Sequence, residues 1–127
     1  MQMTNSIEIG NMQWVPNYAL SFDGVDDNCE VNDNTSLDFG DENFTIEGWF
    51  YNETQETNRG LITKTTAFDN HKLNYALDQG STGWRFTIAN GHKNRVATLT
   101  KYNLNEWVHL AGVYKQGGKI EIYVNGN

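Results

Sequence analysis

The sequence predicts an all-β fold, an antiparallel sandwich or barrel of short strands. Three observations predict it. Apolar residues recur at every second position in one segment after another, which is the period of a half-buried strand. Gly- and Asn-rich turn signals separate those segments. No stretch carries helical periodicity: Thr57 to Lys64 lacks it, and the acidic run Asp33 to Asn43 reads as a turn-rich loop.

The elements follow in chain order. Ser6–Ile9 is a plausible first strand. Tyr18–Phe22 and Asn28–Val31 are expected as strands around the Asp23-Gly24 turn. In Phe44–Tyr51, Phe44, Ile46, Gly48 and Phe50 alternate with Thr45, Glu47, Trp49 and Tyr51. If the even set is core, Glu47, Trp49 and Tyr51 line an outer face. Gly60–Lys64 follows the Asn58-Arg59-Gly60 turn, and Leu73–Leu77 alternates Leu73, Tyr75 and Leu77 with polar or small residues. In Trp84–Ala89, Trp84, Phe86 and Ile88 form the apolar set, and Arg95–Thr98 comes after Asn90-Gly91. Trp107–Tyr114 and Lys119–Val124 are joined by Gln116-Gly117-Gly118. The long segments Phe44–Tyr51 and Trp107–Tyr114 are expected at the sheet centres, with short charged strands guarding the edges.

Composition bounds the function. At 127 residues, with a single proline at Pro16 and glycines spread evenly, the chain reads as one domain over 1–127. Nine Lys and Arg against 16 Asp and Glu give a net charge of −7, which argues against a nucleic-acid partner. No apolar run reaches membrane-spanning length, and Met1 to Gly10 carries no signal-peptide pattern. Aromatics at 13% exceed what a disordered acidic chain carries. The single Cys29 is expected to be a small buried apolar residue.

Three blocks carry a family likeness. The first is Ala19-Leu20-Ser21-Phe22-Asp23-Gly24-Val25-Asp26-Asp27, followed by Val31 and Ser36-Leu37-Asp38. The second is Phe44-Thr45-Ile46-Glu47-Gly48-Trp49-Phe50. The third is Trp107-Val108-His109-Leu110-Ala111-Gly112-Val113-Tyr114 with Ile122-Tyr123-Val124-Asn125-Gly126. Their order and spacing resemble the laminin-G-like domains of the concanavalin A-like lectin/glucanase superfamily. The resemblance implies a jelly-roll sandwich of two curved antiparallel sheets, rim loops or a concave sheet face that bind glycans, and a calcium ion near the first block. It also implies an extracellular, cell-surface or virion location. Domains of this kind normally continue for several strands beyond the Asn125-Gly126 turn, and this sequence ends at Asn127. The sheet edge left open is expected to be filled by Ser6–Gly10 or by a second copy of the chain, in a homodimer formed by edge pairing or strand exchange. The alternative is that the sequence is a piece of a longer chain.

Candidate sites come from residue chemistry. Trp49, Tyr51, Trp84, Trp107 and Tyr123 are candidates for stacking against the apolar faces of sugar rings, and Glu47 beside an exposed Trp is a candidate polar contact of the same glycan site. The competing reading makes these tryptophans packing residues. Asp23, Asp26 and Asp27 concentrate carboxylates in one turn, as a calcium ligand set requires. The competing reading is an Asx-type turn, whose side chains accept from nearby backbone N–H groups. Asp38 to Asn43 is expected to be a solvated loop. His71, His92 and His109 have no metal-ligand spacing, and His109 is expected in a structural role. Glycoside hydrolysis needs paired carboxylates, yet Glu47 has no acid at 45, 49 or 51 and Glu121 stands alone on its segment. No nucleophile elbow or phosphate loop is present, so the chain reads as a binding module without catalysis, for a glycan or a protein ligand.

Overall fold

The computed structural model describes residues 18–64, 74–89, 94–99 and 101–127. The expected strand Ser6–Ile9, Leu73, His71 and His92 lie outside these residues. The chain divides into two compact units, Met1–Asp33 and Asn34–Asn127.

In the first unit, residues 18–33 are irregular, with a bend over Gly24 to Asp26. The strands expected at Tyr18–Phe22 and Asn28–Val31 are not formed. Neither segment joins a ladder among the described residues, so alternation there has no sheet face to serve. Leu20 and Phe22 are exposed accordingly. Cys29 is exposed as well, which corrects its expected burial: with no strand around it, no core face takes it in.

Among its described residues the second unit is all-β apart from one 3-10 turn, Thr35–Leu37, capped by the Asn34 side chain accepting from the Ser36 N–H. Its strands are β1 Phe44–Tyr51, β2 Arg59–Lys64, β3 Asn74–Gln79, β4 Trp84–Ala89, β5 Asn94–Thr98, β6 Trp107–Lys115 and β7 Lys119–Val124. They form two antiparallel sheets, one ordered β1-β6-β7 and the other β2-β3-β4-β5. The two longest strands pair along their length, from Phe44 opposite Tyr114 to Tyr51 opposite Trp107. The β6–β7 hairpin closes because Gly117 and Gly118 take φ of +83° and +93°, and the Gly118 N–H donates to the Lys115 carbonyl.

The core lies between the sheets. Phe44, Val108, Leu110 and Tyr114 from one meet Tyr75, Leu77, Trp84, Phe86 and Ile88 from the other. It is aromatic-rich: Phe44 stacks on Phe39 at 4.5 Å and meets Phe86 edge-on at 6.4 Å. At Gly112 on β6 the layers approach so closely that a Cβ would stand 2.5 Å from the Phe86 ring of β4. Gly48 in mid-β1 is covered instead by its own strand, since the Phe50 ring lies over it.

One polar pair is part-buried on the face of the β2-β3-β4-β5 sheet turned away from the core, since Arg85 alternates with the inward Trp84 and Phe86. Asp78 on β3 and Arg85 on β4 stand opposite each other in the ladder. Arg85 Nε donates to Asp78 Oδ1 at 2.7 Å and Nη2 donates to Oδ2 at 3.1 Å, a two-pronged bond. Arg85 Nη2 also reaches Asn58 Oδ1 at 3.2 Å. Asn58 thus ties the start of β2 to the β3–β4 hairpin twice, through its side chain on Arg85 and through its N–H, which donates to the Gln79 carbonyl.

Candidate functional site

The outer face of the β1-β6-β7 sheet is built by strand parity. Even positions of β1 face the core, so Glu47, Trp49 and Tyr51 face out. Register then sets His109 opposite Trp49 and Trp107 opposite Tyr51. Trp49, Trp107 and Tyr51 are 64%, 51% and 45% exposed, although the reverse face of the same strands is core. The rings touch in pairs: Tyr51 and Trp107 at 5.7 Å, Trp49 and His109 at 5.2 Å, both tilted. Successive outward residues on a strand lie about 7 Å apart, so the two pairs form two adjacent platforms.

Polar groups flank the platforms. Glu47 Oε2 lies 3.6 Å from His109 Nε2, an electrostatic contact too long for a hydrogen bond. Asn125 fixes the His109 backbone, accepting from its N–H at 3.0 Å and donating to its carbonyl at 2.9 Å. The next row sets Glu47 beside Ala111, and Ala111 beside Tyr123. The carboxylate partner that hydrolysis requires is therefore missing next to Glu47 in the ladder.

Further along the face, Glu121 is held by Lys115 and Lys119, each at 2.7 Å on a different oxygen, and by the Tyr123 hydroxyl at 3.2 Å. The hydrogen bond from Lys115, then that from Lys119, pull its carboxyl down to about 2. The unfolded chain takes up a proton near the ordinary value of 4.5, whereas the folded chain does not until about 2. The stability from this knot is thus fully present above the unfolded value and is lost as the pH falls through the folded one. We expect Glu121→Gln to lose less of its urea midpoint than the parent chain between about pH 6 and about pH 3. An equal loss in both proteins would remove Glu121 from the account.

The structure brings Glu47, Trp49, Tyr51 and Trp107 onto one face, with Tyr123 half-buried beside them. Trp84 does not join them: it is 1% exposed, in the core, and its ring packs edge-on against Tyr102 at 5.2 Å. That corrects its candidacy for ligand binding. The reason is parity, since Trp84 points the same way as Phe86 and Ile88. His109 was missed as a site residue, although it shares the parity of Trp107 on the same strand.

In the separate unit, Asp23, Asp26 and Asp27 each place one carboxylate oxygen within 4.8 Å of the others. The turn also bonds itself: the Val25 N–H donates to Asp23 Oδ1 at 2.8 Å and the Asp23 N–H to Asp27 Oδ2 at 3.1 Å. Three hard oxygen donors at this spacing fit part of a calcium shell, which takes six to eight.

Two antiparallel sheets thus enclose one core, and the outer face of one of them leaves aromatic rings in water. The family model of laminin-G type, described as the concanavalin A-like lectin/glucanases superfamily, matches residues 23–127, and the chain belongs to that family. No curated protein and no solved structure matches it. Among the described residues, no helix is long and apolar enough to cross a membrane.

Proposed function

We propose that this chain is a non-catalytic recognition module that binds carbohydrate on the outer face of β1 and β6. One observation carries the reading: Trp49, Tyr51 and Trp107 stand exposed and contiguous on a sheet whose other face is closed core. Large aromatic rings left in water on a rigid strand pair mark a contact surface. Their faces match the C–H faces of sugar rings, while Glu47 and His109 stand ready for hydroxyls. Such a module works outside the cell or on a surface, where glycans are displayed.

Trp49→Ala and Trp107→Ala are expected to lower glycan affinity about tenfold each. Both side chains are exposed, so melting temperature should move little. A glycan-array profile unchanged in the double variant would overturn the reading.

A second reading is a protein-interaction module that self-associates. The edge strand β7 favours it, because among the described residues β7 pairs with β6 alone. Light scattering on the parent chain separates the two, since edge pairing requires a dimer.

Calcium belongs to the proposal at one place only. Asp23, Asp26 and Asp27 would hold it, and it would cross-link the turn by neutralising three adjacent carboxylates. Calorimetric titration with Ca²⁺ should then give binding that Asp26→Asn abolishes. Heat that is absent, or unchanged in the variant, assigns the turn to its own Asx hydrogen bonds.

A further inference from the structure

The charge and spacing of the aromatic face restrict what lies on it. We infer that its ligand is an uncharged glycan chain of at least two linked sugar rings, running along β1. This rests on the carbohydrate reading above and narrows it.

Charge comes first. The whole chain carries −7, and among the described residues the acid amid the aromatic rings is Glu47. The cations of this face among the described residues, Lys115 and Lys119, are both spent on Glu121 at the far end. Sulfated or carboxylated glycans need arginine or lysine clusters, and here they would meet an acid. An uncharged sugar loses nothing to that field, and Glu47 accepts hydrogen bonds from its hydroxyls.

Spacing comes second. Trp49 with His109 makes one platform, and Tyr51 with Trp107 makes the next, about 7 Å further along the strand. One ring covers one platform. A second ring, joined to the first, covers the other without a further loss of translational freedom. The two platforms are fixed by ladder register, so their separation is preset.

The experiment is calorimetric titration of the parent chain with neutral glucan, xylan and mannan oligosaccharides of one to six units, and with polygalacturonate and heparin oligosaccharides. We expect affinity for one neutral series to rise about tenfold or more from one unit to three, and to reach a plateau. Trp49→Ala should bring the trimer down to the level of the monomer while the monomer loses less. The anionic oligosaccharides should not bind, and Glu47→Gln should weaken the neutral trimer. Binding that favours anionic chains, or that is equal for one unit and three, overturns this inference and leaves carbohydrate recognition standing. Heat from none of these probes, together with a blank glycan array, overturns the carbohydrate reading itself.

Discussion

Gly83→Ala is expected to lower the melting temperature by on the order of 10 °C, a loss of about 3 kcal/mol. Gly83 closes the turn between β3 and β4, and its carbonyl accepts from the Gly80 N–H at 2.8 Å. The chain leaving β5 passes directly against it. A Cβ at this position would stand 1.6 Å from the Leu99 carbonyl oxygen and 2.7 Å from the Lys101 nitrogen. Both are backbone atoms, so no side chain can swing away. Relief requires moving the strand end, and with it the bond from the Leu99 N–H to the Trp84 carbonyl at 2.9 Å. Gly117→Ala provides the control. Its φ of +83° strains an alanine, but no atom lies within 4 Å of the added carbon. That variant should lose about 1 kcal/mol. Thermal denaturation of both checks the contrast, and equal losses would remove the close approach at Gly83 from the account.

The second large effect is expected at Arg85. Arg85→Ala strands the Asp78 carboxylate, whose side chain is 11% exposed, with no guanidinium beside it. Breaking a buried pair from one side costs more than the pair contributes, because the remaining charge keeps its desolvation penalty. The Arg85 side chain is 29% exposed, so water reaches the gap and the loss sits at the low end, about 3 kcal/mol. Asn58 loses a partner in the same step. Adding Asp78→Asn to Arg85→Ala should recover part of the loss, since the neutral amide tolerates burial better. Urea denaturation of the single and double variants decides it. A double variant no more stable than the single would mean that the carboxylate is not the source of the penalty.

The sheets were legible in the sequence because period two is a direct projection of strand geometry. Trp84–Ala89 and Lys119–Val124 have the same bounds in sequence pattern and structure, and Phe44–Tyr51 likewise. Strand ends elsewhere differ by a residue or two, where hydrogen bonding rather than hydrophobicity sets the limit. Tyr18–Phe22 carries the same alternation and forms no strand, since alternation states only that one face is apolar and a strand also needs a neighbour.

The aromatic face was legible in part. The odd positions of β1 follow from parity, but their neighbours on β6 follow from register, which no local pattern contains. Trp84 could have been excluded by the same parity that selected Trp49. The Asp78–Arg85 pair was invisible for another reason: two charged residues seven apart in sequence become neighbours only when the intervening turn fixes which residue faces which.

Gly112 has a mechanical consequence. The Phe86 ring sits where a side chain on β6 would otherwise be, like a key in a slot between the two layers. Sliding one layer over the other would drive that ring into backbone, so shear is blocked at the middle of the strand that carries Trp107 and His109. A partner landing on the far side of that strand therefore meets a surface already set in shape. It gives up its own freedom on binding and does not have to fund the ordering of the protein.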